Sequence, residues 1–180
     1  MKKFALTLAV VCLGLTRAGA APPVDNLPVL RHSPELIIHT PDGTEIPLSS
    51  YKGKVVALMF VHTTCPICQE ASQVFTKLAA EYGPQFQPIE VAFNSMANER
   101  VPEFVKKFDI RYPVGFSNIE EVSAYLGISS AERFTIPQIV WFDSNGDIRA
   151  QTPRLNGDFK VTENCWRNII GMLLKEVSPD

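Results

Sequence analysis

The chain has 180 residues, with 17 basic and 19 acidic side chains and a formal net charge of −2. A chain of this length can bury a hydrophobic core without disulfides to hold it together, and as a prior it forms one domain. The charge balance argues against a nucleic-acid-binding protein, which needs a basic surface.

The first twenty residues have the layout of a cleavable secretory signal. Lys2 and Lys3 precede an apolar stretch from Phe4 to Leu15, and small residues follow at 18–20. This stretch is shorter than the ~20 apolar residues that span a bilayer, so a permanent membrane tether is the weaker interpretation. We predict cleavage of residues 1–20 after Ala20, which removes three basic residues and no acid and leaves a net charge of −5. Because exported proteins work where disulfides persist, the predicted location is the periplasm or another extracytoplasmic space.

The rest of the chain divides into an arm and one domain. Residues 21–34 contain four prolines and little periodicity, which predicts an extended N-terminal arm. In residues 35–180, strand-like runs alternate with segments of helical periodicity, and this alternation favours an α/β architecture. The predicted strands are 35–40, 45–48, 55–61, 89–93, 112–116, 139–142 and 148–150. The predicted helices are 66–82, 101–108, one from a capping box of Ser117 and Glu120 to Gly127, and one capped by Thr162.

The predicted sheet is mixed in strand direction. Residues 55–61 are apolar throughout, which is typical of a central strand that is covered on both faces. Two turn sequences, 41–44 and 143–146, join neighbouring strands as antiparallel hairpins. The fold class is therefore predicted as α/β, a central mixed β-sheet flanked by helices, with an N-terminal β-hairpin extension.

Cys65 and Cys68 stand at the junction between the central strand and the first helix. If the helix begins at Pro66, Cys65 caps it and Cys68 follows one turn later, at a separation that a disulfide can bridge. The helical N–H groups after Pro66 remain free to face the Cys65 sulfur, and the helix dipole favours a thiolate there. We therefore predict that Cys65 is the nucleophile and that the more shielded Cys68 is the resolving thiol.

These features together resemble the extracytoplasmic thioredoxin-like thiol–disulfide oxidoreductases of the TlpA, ResA and CcmG type. The resemblance covers residues 36–177. It rests on PDGTEIPLSSYKGKVVALMF, the CPIC motif, the helix at 101–108 followed by IRYPVGF, and TIPQIVWFDSNGDI, in the family's order. It implies a thioredoxin-like fold, protein dithiols and disulfides as partners, and a reducing role with electrons from a membrane thiol carrier. We expect a monomer without a cofactor, because the cysteine pair itself carries two electrons.

By this resemblance, Ile136-Pro137 occupies the position of a cis peptide bond that faces the two cysteines. A fixed turn there would present an unpaired backbone edge, to which an extended substrate segment could add as a strand. We therefore predict that Pro137 belongs to the catalytic site and that Ile136, Pro66 and Thr64 contact substrate.

The proton acceptor for Cys68 has no clear position in the sequence. Met59 stands where thioredoxins place a buried Asp, and Thr64 stands where the family usually has Trp. Glu70, Glu90 and His62 are the candidates for this role, although a histidine in such a place is more often a half-exposed residue at a strand end.

Other functions of a cysteine pair fit the sequence less well. A disulfide between residues three apart closes almost no loop, so a purely structural bond would add little stability. Zinc needs two further ligands, but the three histidines precede the motif at scattered spacings and only Cys165 remains in the mature chain. Covalent haem attachment needs a histidine where Gln69 stands.

Two alternatives share the predicted fold. Thiolates select Cu(I), but copper-delivering relatives have three residues between the cysteines and a distant C-terminal histidine, whereas this chain has two residues there and no histidine after His62. Peroxiredoxins place Pro seven residues, and Thr or Ser three residues, before the reactive cysteine, where this chain has Leu58 and His62. Cys165, beside the apolar face of the last helix, is predicted to be an unpaired, buried hydrophobic residue.

Overall fold

A computed structural model describes residues 27–129, 131–155 and 162–176. The predicted signal segment and residues 21–26 of the arm lie outside these ranges. The strands are β1 (Arg31–His32), β2 (Ile37–His39), β3 (Glu45–Pro47), β4 (Val55–Val61), β5 (Phe86–Ala92), β6 (Val114–Phe116), β7 (Gln138–Phe142) and β8 (Asp147–Gln151). The α-helices are α1 (Pro66–Tyr82), α2 (Ala97–Lys107), α3 (Ile119–Leu126) and α4 (Glu163–Lys175). None of the helices in the described part of the chain is long and apolar enough to cross a membrane.

The strands form one mixed sheet in the order β1-β8-β7-β4-β5-β6-β2-β3. β4 lies at its centre, parallel to β5 and antiparallel to β7, and β5 is parallel to β6. The β2–β3 hairpin joins one edge through the pairing of His39 with Phe116. The predicted mixed sheet and N-terminal hairpin extension are therefore confirmed.

The side chains of β4 alternate between two hydrophobic cores, one on each face of the sheet. Every residue of β4 is buried, because both faces of the sheet are covered. Three helices cover one face, and one helix with the N-terminal segments covers the other. The first core contains residues of α1, α2 and α4, and the second contains residues of α3, β2 and the turn at Leu48. Cys68 belongs to the first core, so the cysteine motif is attached to the more heavily packed face.

Several element boundaries differ from the sequence prediction by one to four residues. α2 begins at Ala97 rather than 101, because residues 98–100 of its first turn are polar and exposed and hide the helical period. α3 is capped by Asn118 rather than Ser117, and the Asn118 side chain accepts a 2.9 Å hydrogen bond from the Glu121 N–H. β5 begins at Phe86 rather than 89, because residues 86–88, including Pro88, pair with residues 55–57 of β4.

The predicted N-terminal arm is partly ordered against the domain. Arg31 and His32 form β1, which pairs with β8. The Arg149 guanidinium, on β8, donates to the carbonyl of Leu27 and also to Asp143 and Glu176. This buried group thereby joins the arm, the β7–β8 turn and the end of α4.

Candidate functional site

Cys65 is the N-cap of α1, and Pro66 is its first helical residue, as predicted. The Cys65 backbone is extended, with φ −81° and ψ 120°, and its carbonyl accepts a 3.0 Å hydrogen bond from the N–H of Gln69. The Cys65 sulfur, however, accepts no capping hydrogen bond, because a thiol is a weak acceptor. Cys65 is half-buried, and both it and Cys68 are free thiols.

Cys68 lies one turn into α1 and is completely buried. Burial raises the pKa of the Cys68 thiol, and the hydrogen bond with Cys65 and the nearby Glu90 carboxyl raise it further. Cys68 is therefore a protonated thiol that substrate cannot reach, while Cys65 is the member of the pair that meets solvent. The predicted roles of an attacking and a resolving cysteine require such an asymmetry, and they stay predictions.

The loop between β4 and α1 is held by two residues that sequence reasoning missed. The Asn94 side-chain oxygen accepts a 2.9 Å hydrogen bond from the Thr63 N–H, and the Gln69 amide donates to the Thr63 carbonyl over 2.8 Å. The N–H of Cys65 itself bonds the His62 carbonyl at 3.0 Å. The backbone that carries Cys65 is thus attached both to the segment after β5 and to α1.

The Ile136–Pro137 peptide bond is cis, as the resemblance predicted. β7 begins at the next residue, Gln138, which pairs with Phe60 near the end of β4. Because these two strands are antiparallel, the loop before β7 and the loop that leads to Cys65 leave the sheet at the same end of the strands. We call this end the site edge. Ile136 and Cys65 also pack against the same hydrophobic core.

The predicted substrate-contacting residues surround this edge. Thr64 and Pro66 are exposed on either side of Cys65, and Ile136 is half-buried. Ile136 and His62 line a cleft of about 530 Å³, together with Phe93 and Phe134. The edge therefore combines an accessible sulfur, a fixed turn and an apolar cleft.

Glu90 is a completely buried carboxyl on the same face of the sheet as Cys68. It lies on β5 in register with Met59 of β4, the residue that stands where thioredoxins place a buried Asp. The buried acid of this protein is therefore on the neighbouring strand. The Tyr112 hydroxyl donates to one carboxyl oxygen, and the Ser72 hydroxyl lies 3.0 Å from the other and 2.9 Å from the Cys68 carbonyl. Burial raises the pKa of Glu90 to about 7.

The other two candidates for a proton acceptor have different surroundings. Glu70 is exposed on α1. The His62 ring packs edge-on against Phe93, with 4.5 Å between ring centroids, and burial lowers the pKa of His62. Only Glu90 among the three is both fully buried and electrostatically coupled to Cys68. The sequence signal for it was a single acid inside the apolar strand PIEVAF.

The structure also bears on the predictions for Cys165 and for metal binding. Cys165 lies half-buried on α4 and packs against the first core. It is disulfide-bonded and only half-buried, so the prediction of an unpaired, buried residue is wrong. Within the described ranges, no group of three or more His, Cys, Asp or Glu side chains could hold a metal ion.

A sequence model of the AhpC/TSA family matches residues 29–151, which is more than half of the chain. The chain belongs to the AhpC/TSA family. This AhpC/TSA protein is 23% identical, over 124 residues, to the thiol-disulfide oxidoreductase ResA of Bacillus thuringiensis subsp. konkukian (strain 97-27), with 69% of each chain covered. The residues that the family model matches, 29–151, contain both motif cysteines and the cis-proline.

Solved structures share the fold of this AhpC/TSA protein. A thiol:disulfide interchange protein of the thioredoxin family from Chlorobium tepidum TLS superposes with a TM-score of 0.66 at 22% identity, covering 80% of this chain and 96% of its own. The thioredoxin domain of a thiol-disulfide oxidoreductase from Bacteroides vulgatus gives a TM-score of 0.61 at 17% identity, covering 85% and 100%. The predicted thioredoxin-like fold and the resemblance to this class of proteins are confirmed.

Proposed function

We propose that this protein exchanges disulfides with exported proteins, with Cys65 as the attacking and Cys68 as the resolving thiol. The class of activity, thiol–disulfide oxidoreduction, is that of the curated relative ResA. The observation that carries the residue assignment is the difference between the two sulfurs. Cys65 is accessible at a helix N-terminus, and Cys68 is buried one turn behind it with a raised pKa.

The proposed reaction has two steps that together move two electrons. The Cys65 thiolate attacks one sulfur of a substrate disulfide, which forms a mixed disulfide and releases the other substrate sulfur as a thiolate. Cys68 then loses its proton and attacks the Cys65 sulfur. This step forms the Cys65–Cys68 disulfide and releases the second substrate sulfur, so the substrate is reduced and the protein oxidised. A dithiol, proposed to be a membrane thiol carrier, then regenerates the reduced protein.

Glu90 is the group that we propose accepts the Cys68 proton. The carboxyl and the thiol are coupled inside the same core, and the raised pKa of Glu90, about 7, allows it to take up a proton and release it near neutral pH. No cofactor takes part, because the electrons move only between sulfur atoms. At the site edge, the substrate segment would contact Thr64, Pro66, Ile136 and Pro137.

The sequence supports our proposals on location and partners. The signal-like segment at 1–20 supports an extracytoplasmic location, where protein disulfides persist as substrates. We propose a reducing direction and a monomer, and we expect no affinity for nucleic acid because the mature chain is acidic.

The proposal is tested by turnover with a protein disulfide. The reduced protein, without its predicted signal segment, is mixed with insulin and a dithiol donor, and insulin thiols are counted as they form. We expect catalytic reduction well above the rate of the donor alone, and a redox titration in which one two-electron couple disappears when either motif cysteine is replaced. Insulin reduction no faster than the donor alone would overturn the proposal.

The same preparation separates the two alternatives. Hydrogen peroxide consumption that exceeds insulin reduction would favour a peroxide reductase. Stoichiometric uptake of Cu(I) without turnover would favour a copper-delivering protein. We expect neither, because the sequence pattern of both alternatives is absent around Cys65.

Glu90→Gln is expected to slow the resolving step about a hundredfold at neutral pH, because the variant has no carboxylate to accept the Cys68 proton. In the parent, the rate of this step should rise as pH increases through about 7, where Glu90 ionises. Stopped-flow measurement of mixed-disulfide decay against pH gives both results. Identical pH profiles in the parent and the variant would contradict the assignment.

Thermal unfolding tests whether the Glu90→Gln variant remains folded. Burial holds the pKa of Glu90 in the folded protein at about 7, above its usual 4.5. The folded state therefore holds this proton more tightly, and the free energy of unfolding falls as pH rises through that window. Glu90→Gln removes this loss, so thermal unfolding above pH 7 should show a variant that is no less stable than the parent.

A further inference from the structure

The backbone of Ile136, beside the cis-proline, has unused hydrogen-bonding groups. No backbone hydrogen bond of its N–H or its carbonyl is found among the described residues, and the side chain is half-buried. Pro137 has no N–H to offer. If a substrate adds as a strand at this edge, as the proposed function requires, Ile136 supplies the donor and acceptor for it.

The direction of the Ile136 N–H depends on the carbonyl of Thr135. Both groups belong to one peptide unit, which is planar and trans, so they point in opposite directions. The Thr135 carbonyl accepts a 2.7 Å hydrogen bond from the side-chain amide of Gln138. Since Gln138 is completely buried, this bond turns the carbonyl inward and leaves the Ile136 N–H directed away from Gln138.

The Gln138 amide is itself fixed from two sides. Its backbone is in β7, paired with Phe60 of β4, and its side-chain nitrogen also lies 3.3 Å from the Pro153 carbonyl. The Thr135 N–H bonds the Arg154 carbonyl at 2.9 Å, so the segments 135–138 and 153–154 are joined at two points. The loop before β7 is therefore held both by backbone pairing and by the buried Gln138 side chain.

We propose that Gln138 is a positioning residue, which holds the Thr135–Ile136 peptide unit in the orientation that receives an extended disulfide-containing peptide. The proposal rests on the function proposed above. Gln138 does not touch the reacting sulfurs, so its loss should weaken recognition of a peptide without altering the chemistry at Cys65. Small disulfides that form no backbone pairing should react as before.

The test compares two disulfides as substrates of the reduced protein in single-turnover kinetics. One is a short synthetic peptide closed by an internal disulfide, and the other is bis(2-hydroxyethyl) disulfide. For Gln138→Met, which keeps the volume and removes both donors, we expect the half-saturating peptide concentration to rise about tenfold, as the loss of ordinary hydrogen bonds permits. The maximal rate, the redox titration and the rate with the small disulfide should change less than about twofold.

A matched control is Gln151→Met. The Gln151 amide bonds the Leu126 carbonyl at 3.1 Å, so this variant also loses a glutamine-to-carbonyl bond, but not one in the loop before β7. It should retain the parent's preference for the peptide. An equal loss of peptide recognition in both variants, or an equal slowing with both disulfides in Gln138→Met, would overturn the positioning role. A parent that reacts with neither disulfide would instead refute the proposed function.

A second variant separates positioning from general damage to the core. Gln138→Glu keeps the shape, and its protonated carboxyl can donate one hydrogen bond to the Thr135 carbonyl, whereas the carboxylate cannot. The ratio of peptide to small-disulfide reactivity should therefore recover as pH is lowered. In Gln138→Met the same ratio should follow the parent's pH dependence. A ratio that does not respond to pH in Gln138→Glu would overturn the proposal.

Discussion

Cys65→Ser is expected to reduce disulfide exchange to the rate of the buffer control, whereas Cys68→Ser should stop after one step with substrate attached. A serine hydroxyl is not ionised near neutral pH and does not attack a disulfide. Cys68 cannot replace Cys65, because it is completely buried and its pKa is raised. Intact-mass measurement after mixing with insulin should find one equivalent of a mixed disulfide on Cys68→Ser and none on Cys65→Ser.

Alkylation of the reduced parent provides the control. A limiting amount of iodoacetamide should modify the half-buried Cys65 before the buried Cys68 and abolish exchange to the same degree as Cys65→Ser. Exchange by Cys65→Ser at the parent rate would refute the assignment of the nucleophile. Insulin attached to Cys68 in the Cys65→Ser variant would show that the roles are reversed.

Arg149→Met should lower the free energy of unfolding by about 3 to 5 kcal/mol, the usual loss when one member of a buried ion pair is removed. Arg149 is 8% exposed and Asp143 is 4% exposed, and the two are joined by a 2.8 Å bond. Without the guanidinium, the Asp143 carboxyl loses its charged partner in the interior, and the Leu27 carbonyl loses its donor. Urea denaturation of the parent and the variant measures the difference.

The matched control for Arg149 is an ion pair on the surface. Arg111→Met removes a 3.1 Å pair with Asp109 in which both side chains are mostly exposed, so the expected loss is about 0 to 1 kcal/mol. If Arg149→Met costs no more than Arg111→Met, Arg149 does not hold the arm, the β7–β8 turn and α4 together. Limited proteolysis near Leu27, faster in Arg149→Met alone, would locate the loosened segment.

Much of the fold could be predicted because neighbouring residues carry the signal. The apolar run of β4, Pro66 at the first turn of α1, and Gly127 after α3 each act through local backbone preferences and burial. The α3 cap was assigned to Ser117 instead of Asn118, because adjacent polar residues both fit a capping pattern and only the backbone angle decides between them.

The candidate site was predictable in part for the same reason. Cys65, Pro66 and Cys68 act within one helical turn, so their spacing alone indicates an accessible and a shielded sulfur. The cis bond before Pro137 came from the resemblance to a family. Neither Gln69 nor Asn94 was recognised, since their bonds to Thr63 depend on how the loop after β4 folds back.

By itself, the sequence determined the alternation of strands and helices, the position of the cysteine pair at a helix start, and the signal-like segment. Only the tertiary structure decided that Glu90 lies beside Cys68, that Gln138 reaches the Thr135 carbonyl, and that Arg149 joins three distant segments. The physical reason is that local patterns depend on neighbours along the chain, whereas the partner of a buried polar group depends on strand register and on which face of the sheet each side chain occupies.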